Sequence, residues 1–170
     1  GGVVSDLGGF AAATFNRGMA YINIPTSLIG QVDAAIGGKS ALNVNGIKNQ
    51  AGLFYDPAAV YIMPVFLETL PEAHYKSGFA EIIKCAALSG YKSWELLKQE
   101  SALDHNQIFR LIAETVSFKC RIVAEDPFDR SGRKMLNFGH TVGHALESVC
   151  SIPGENEMLH GQAIACGMIC

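Results

Sequence analysis

The sequence predicts an α/β unit followed by an all-α domain, and three observations carry that reading. Up to about Pro64, an Ala-rich segment alternates with β-branched and aromatic runs that end at proline. From Leu70 onward, apolar residues recur every three or four positions. The hydrophobic fraction of 49% with 17% charged residues belongs to a chain that folds around a core.

Taken in order, Gly1 and Gly2 suit a tight turn, and Leu7 to Phe15 is helix-competent, with Gly8 and Gly9 allowing close packing. "MAYINIP" (Met19 to Pro25) and "AAVYIM" (Ala58 to Met63) read as strands. Pro71 fits the first turn of a helix whose stripe is Phe79, Ile82, Ile83, Ala86 and Ala87. Further stripes run through Trp94, Leu96 and Leu97, then through Ile108, Leu111, Ile112, Thr115, Phe118 and Ile122, with Asp104 and Asn106 as candidate caps. There is no internal repeat. The boundary between the two parts is placed at residues 66 and 67, giving units 1–66 and 67–170.

A net charge of −3 supplies no basic footprint, so nucleic acid is not an expected partner. No apolar run reaches membrane-spanning length, and a cytoplasmic setting without membrane attachment is expected. The five cysteines contain no C-x-x-C pair and are read as buried thiols. Position 1 opens on a glycine-rich turn and position 170 falls inside the apolar run "AIACGMIC", so the expectation is a piece of a longer protein.

The densest polar chemistry lies in "LNFGHTVGHALE", Leu136 to Glu147. In a helix, His140 and His144 lie on nearly one face, about 6 Å apart along the axis. Metalloproteases with this spacing carry glutamate directly after the first histidine, and Thr141 stands there instead. Asn137 and Arg133 are expected on the same helical face, a polar density that is costly to bury unless something binds it. A catalytic metal usually takes three protein ligands, and His160 in "LHGQAI" and Glu81 in "GFAEIIK" are the candidates elsewhere. Glu81 is explained equally well by an ion pair with Lys84 one turn on, and spacing leaves both readings open.

A second concentration is "QVDAAIGGKSALNVNGIKNQ". Gly38-Lys39-Ser40 has the form of the end of a phosphate-binding loop, but Asp33 occupies the place of that loop's first glycine, which makes a nucleotide-triphosphatase reading weak. Asp33, Lys39, Lys48 and Asn49 around glycines suit an oxygen-rich phosphorylated small molecule. A solvated hairpin bearing surface lysines is the alternative.

These motifs together resemble the 3-dehydroquinate synthase family over essentially the whole chain. The likeness runs through "GGVVSDLGGFAAATFNRG", "IPTSLIGQVDAAIGGKSALN", "GIKNQAGLFYDP", "TLP", "GFAEIIK", "GRKMLNFGHTVGHALE" and "LHGQAIACGM" in that order. The resemblance implies the end of a Rossmann-like NAD-binding domain joined to a helical metal- and substrate-binding domain. It implies Glu81, His140 and His160 as ligands of zinc, or of cobalt in its place, and His144 facing the substrate phosphate. Lys39, Asn49, Lys84, Arg133 and Asn137, with Lys48 and Lys119, match positions that hold the substrate's carboxylate, hydroxyls and phosphate. Asp33 matches a substrate-hydroxyl position, and Arg17 one that reaches the neighbouring subunit's site in a homodimer. Gly1, Gly2, Asp6, Thr26 and Ser27 fall at NAD-contacting positions.

The implied reaction converts 3-deoxy-D-arabino-heptulosonate 7-phosphate into 3-dehydroquinate with loss of phosphate, within the shikimate pathway of aromatic amino-acid biosynthesis. NAD⁺ oxidises a ring hydroxyl and is regenerated, and zinc polarises the oxygen. Departures cluster in "DPFDRSGR", where Asp129 replaces glutamate, Pro127 interrupts an acidic run and Gly132 takes a leucine place. Ser5 stands for a common glycine, and Ala34 and Ala35 for small hydroxyl residues, changes that bear on NAD packing more than on chemistry. Other sugar-phosphate cyclases and metal-dependent polyol dehydrogenases share the fold, and a catalytically inactive fragment or oligomerisation module is the rival of a different class. Asn137 and the Lys48-Asn49 pair favour the dehydroquinate enzyme.

Overall fold

A computed structural model describes residues 1–45, 47–98, 105–150 and 158–170. Helix α1 (Gly2–Thr14) opens the chain and is followed by the short strand β1 (Ile22–Asn23). A π-helical turn at Gly30–Ala34 leads into the hairpin β2 (Lys39–Val44) and β3 (Ile47–Phe54), and then into β4 (Ala59–Val60). The helices α2 (Glu72–Ser89), α3 (Tyr91–Lys98), α4 (His105–Glu125), α5 (His140–Cys150) and α6 (His160–Ile169) complete it. β1 pairs in parallel with β4 through Ile22↔Ala59 and Asn23↔Val60, while β2 and β3 form a separate antiparallel ladder.

The order α/β then helical matches the expectation, with differences in detail. Gly1 and Gly2 begin a helix rather than a tight turn, Gly1 standing at the N-cap. The two proline-ended runs contribute strands of only two residues each, shorter than their β-rich composition implies, because only that part finds a ladder partner. Asn106 lies inside α4 and so does not cap it, and Asp104 is outside the described residues. Of the cysteines, only Cys85 is buried, its thiol pushed up to about 12 by desolvation, whereas Cys120, Cys166 and Cys170 are exposed.

The run from Leu136 to Glu147 is not one helix. Residues Gly132–Asn137 form a 3-10 turn, Gly139 sits at φ +77°, and α5 starts at His140. That backbone value is open to glycine and strained for other residues. Arg133 and Asn137 therefore do not share a helical face with the histidines.

Leu28, Val32, Ile82, Leu111 and Ile112 form the main core, so apolar residues of the first part pack directly against α2 and α4. Ile62, Leu67, Phe79, Leu97 and Ile108 surround them. The buried Gln31 amide donates to Pro25 O at 3.3 Å and Met63 O at 3.0 Å, tying two connections to the π turn.

Two close approaches set the position of α2. A Cβ at Gly78 would stand 2.5 Å from Ile29 N, so α2 can press against the 28–33 segment only with glycine there. At the other crossing, Gly161 lies against Ser77, whose hydroxyl accepts the Gly161 N–H at 2.9 Å. A Cβ on Gly161 would overlap the Ser77 carbonyl. Gly161→Ala is accordingly expected to destabilise the chain by more than the ~1–3 kcal/mol typical of overpacking, because the obstacle is backbone. The denaturant midpoint measures it, and a midpoint equal to that of the parent sequence contradicts this account of the crossing.

Candidate metal and anion site

The α2–α6 crossing brings Glu81, four residues after Ser77, beside His160, the residue before Gly161. Glu81 Oε1 lies 3.5 Å from His160 Nε2 and 3.9 Å from His140 Nε2, and one donor atom from each of the three residues falls within 4.8 Å of the others. Ligands of a tetrahedral ion bound at ~2.1 Å are separated by roughly 3.4 Å. The spacing therefore needs only slight contraction to close on an ion.

Glu81 is 0% exposed, and among the described residues neither of its oxygens receives a hydrogen bond of good geometry. Lys84, 1% exposed, forms an ion pair with Oε2, which leaves Oε1 facing the imidazoles. A buried carboxylate oxygen with no donor is costly unless a cation completes its surroundings. Two imidazole nitrogens with one carboxylate is a donor set of the kind zinc takes at catalytic sites, where a fourth position stays open. The ion-pair and metal-ligand readings of Glu81, left open by spacing, are thus geometrically compatible, one for each oxygen.

The backs of the two rings are also engaged. His140 Nδ1 is 3.1 Å from Phe138 O, and His160 Nδ1 is 3.1 Å from Glu147 Oε1. Burial and then the Lys84 ammonium lower the His140 pKa, and burial also lowers that of His144, which favours neutral rings. Burial would lower His160 as well, but the carboxylates of Glu81 and Glu147 outweigh it and raise its pKa. His144 stacks edge-on to His140 at 5.3 Å, is exposed, and stands outside the Glu81 set.

Cationic residues of both parts pair with carboxylates of the other. Lys119 on α4, 6% exposed, donates to Asp33 O at 2.6 Å and pairs with the Asp33 carboxylate. Burial would raise the Asp33 pKa, but Lys119 and Lys84 override it and hold the carboxyl well below its usual range. Lys48 Nζ lies 3.4 Å from Glu147 Oε2, which links the hairpin to α5. Lys39 pairs with Asp129, whose φ is +55°.

The 126–133 loop is organised by Asp126. Its carboxylate accepts the N–H groups of Arg130, Ser131 and Arg133 at 3.0, 2.7 and 3.1 Å, and these bonds hold its pKa down at about 2. Arg133 is 3% exposed and its guanidinium donates to Gly37 O at 2.7 Å and Pro127 O at 2.8 Å. It braces the turn before Lys39, and Asn137 is exposed at the end of the 3-10 turn.

Lys39 and Asn49 line a cleft of ≈ 340 Å³ together with Asp6, Ser40 and Phe54. Asp6 is raised to about 6 by burial and by the charge of Asp33. Gly1 and Thr26 line another cleft of ≈ 430 Å³ with Ser5, Tyr21 and Asn23. Ser27 Oγ accepts the Gly30 N–H at 3.3 Å at the entry to the π turn, and a Cβ on Gly2 would meet Ala34. Arg17, exposed in the turn after α1, joins none of these contacts.

Sequence reasoning missed three residues: Ser77, Asp126 and Glu147. Glu147 was detectable, since it follows His144 by three and His140 by seven positions and shares their face. Ser77 and Asp126 act on partners that no local pattern marks as special.

Removing one member of the buried pair tests its energetics. In the metal-free chain, Lys84→Met leaves the Glu81 charge unbalanced and is expected to cost ~3–5 kcal/mol of stability. Urea denaturation measures this, and a loss below ~1 kcal/mol, the range of exposed pairs, contradicts the burial argument.

Residues 1–77 match the family described as 3-dehydroquinate synthase N-terminal, and residues 78–170 match 3-dehydroquinate synthase C-terminal. The 3-dehydroquinate synthase of Parabacteroides distasonis is 45% identical over 171 residues, covering 99% of this chain and 48% of that protein. That of Latilactobacillus sakei subsp. sakei is 44% identical over 173 residues, with 99% and 47% covered. The chain thus spans about half the length of the curated relatives it matches. Among solved structures, ValA, a 2-epi-5-epi-valiolone synthase from Streptomyces hygroscopicus subsp. jinggangensis with NAD⁺ and Zn²⁺ bound, superposes with a TM-score of 0.85 at 30% identity, covering 99% of this chain and 47% of that one. A 2-deoxy-scyllo-inosose synthase complexed with carbaglucose-6-phosphate, NAD⁺ and Co²⁺ gives 0.84 at 27% identity, covering 99% and 46%. With residues 1–77 and 78–170 matched by the two models of that family, this chain belongs to the 3-dehydroquinate synthase family.

Proposed function

We propose that this chain is part of a cytoplasmic, homodimeric 3-dehydroquinate synthase, which converts 3-deoxy-D-arabino-heptulosonate 7-phosphate into 3-dehydroquinate and phosphate with NAD and zinc. The observation that carries the reading is the Glu81, His140 and His160 cluster, with a buried carboxylate oxygen that has no hydrogen-bond donor among the described residues. The relatives at 44–45% identity bear the synthase name, while the solved cyclases of other specificity stand at 27–30%.

When bound at that cluster, zinc supplies Lewis-acid polarisation of a substrate hydroxyl while NAD takes up and returns a hydride. Lys84 balances the charge of Glu81 from behind and fixes its rotamer. His144, exposed and with a lowered pKa, offers a neutral imidazole at the rim that can donate to a phosphate oxygen and accept a proton. Lys39 and Asn49 in their cleft, with Lys48 at the hairpin, supply cationic and hydrogen-bonding groups for the substrate's carboxylate and phosphate. Asp33 and Lys119 hold one another in register beside Lys84 and present a hydroxyl-binding pair. Arg133 supports Gly37 from below, and Asn137 completes the polar rim. Gly1, Gly2, Asp6, Thr26 and Ser27 serve the nucleotide side, and Arg17 reaches the partner's site.

Another sugar-phosphate cyclase is the second reading, favoured by the solved structures that superpose on the chain. In a polypeptide carrying this chain within the family's full length, phosphate release from the heptulosonate phosphate is expected without accumulation of NADH. Stoichiometric NADH without phosphate points to a polyol dehydrogenase, and turnover of a different phosphorylated sugar alone points to the other cyclases. The 170-residue chain by itself is expected to release no phosphate, since it spans about half of its relatives.

The division of labour between the histidines is tested in the same polypeptide. His160→Ala is expected to abolish zinc retention. His144→Ala should keep zinc and lower turnover by ~100-fold or more. Zinc analysis and phosphate assays measure both, and loss of zinc in the two variants alike refutes the assignment.

A further inference from the structure

Two imidazoles that point one nitrogen at the same carboxylate oxygen must keep that nitrogen free of a proton to serve as ligands. For His140, a backbone carbonyl enforces this, because Phe138 O can only accept and so takes the proton of Nδ1. For His160, the acceptor found behind the ring among the described residues is a side chain rather than a carbonyl of the backbone. It is Glu147, 7% exposed on α5, whose Oε1 lies 3.1 Å from His160 Nδ1.

We propose that Glu147 is a positioning residue for His160: it holds the ring as the Nδ1–H tautomer and so aims the Nε2 lone pair at the metal position beside Glu81. The inference rests on the metal reading of that cluster. Four features support it. The carboxylate is acceptor-only when ionised, so the shared proton belongs to Nδ1. His160 Nε2 faces Glu81 Oε1 at 3.5 Å, longer than an ordinary hydrogen bond of about 2.7–3.2 Å, whereas Nδ1 stands 3.1 Å from Glu147, so the one proton of a neutral ring goes to Nδ1. Lys48 approaches the other oxygen, Oε2, at 3.4 Å, so its ammonium does not stand between Oε1 and the ring. His144 Nε2 is 4.0 Å from Oε2, beyond hydrogen-bond reach, and does not compete.

His144, Glu147 and His160 also meet the spacing for a metal site of their own. A second cation there would sit beside the Lys48 ammonium and would require His160 Nδ1 to give up its proton, so the geometry favours the orienting role. That role also supplies what the backbone carbonyl does for His140, with a charged acceptor that raises the basicity of the ligating nitrogen. The hairpin is drawn in as well, since Lys48 of β3 is one of the partners of Glu147.

Ring ¹⁵N shifts of His160 in the metal-free 170-residue chain, at about pH 9 where imidazoles are neutral, read the tautomer directly. The parent chain should show a protonated Nδ1 and a bare Nε2. Glu147→Gln should retain that pattern, because its side-chain carbonyl still accepts, and Glu147→Ala should lose it. In zinc competition against a chelator, Glu147→Ala should bind ~10–100-fold more weakly, with Glu147→Gln closer to the parent. A protonated Nε2 in the parent chain overturns the proposal, as does an Ala variant unchanged in tautomer and zinc affinity. Two zinc ions per chain, the second lost in Glu147→Ala, would make Glu147 a ligand and overturn it too. If the Ala variant does not fold, the parent and Gln shifts still decide. An Nδ1–H ring in a chain that binds no zinc leaves the tautomer assignment standing and removes the metal reading instead.

Discussion

Glu81 and Lys84 leave water together, one turn apart on α2, and neither charge is tolerable at that depth without the other and without further polar company. The rest of the chain is arranged around that constraint. α6 crosses at Ser77 and Gly161, α5 delivers His140 through the break at Gly139, and α4 contributes Lys119. Because the crossing at Gly161 has no room for a side chain, the height of α6 against α2 is set by backbone contact rather than by adjustable rotamers. That rigidity places His160 Nε2 at 3.5 Å from Glu81 Oε1.

The first part of the chain is not an appendage to this helical cluster. Leu28 and Val32 stand in the same core as Ile82, Leu111 and Ile112, and Asp33 lies between Lys119 and the field of Lys84. Arg133 reaches back to Gly37, and Lys39 to Asp129, so the 126–133 loop and the hairpin stabilise each other across the fold. Asp126 gives that loop its shape through three backbone N–H groups, which is how "DPFDRSGR" maintains a defined turn despite Pro127 and Gly132. An arginine that a linear reading assigns to an anionic ligand is here held by carbonyls, because its burial leaves the guanidinium nearer to backbone than to solvent.

Cationic residues from widely separated elements face a small number of carboxylates, and each ion pair joins two parts of the chain. Lys48 with Glu147 connects β3 to α5, and Lys119 with Asp33 connects α4 to the π turn. Polar groups distributed in this way hold the scaffold together across elements far apart in the sequence.

The helical stripes, the proximity of His140 and His144, and the candidacy of Glu81 and His160 were legible in the sequence, because periodicity and residue chemistry are local properties. The break at Gly139 was not recognised, although glycine directly before His140 was its visible sign. By itself, the sequence determined an α/β segment followed by helices, the family, and which polar residues were candidates for a site. Only the tertiary structure decided that Glu81 offers one oxygen to Lys84 and the other to two imidazoles, that Arg133 turns to Gly37, and that Glu147 stands behind His160. These pairings join residues up to 96 positions apart. Spacing along the chain says nothing of such distances, because they are set by how closely the helices approach.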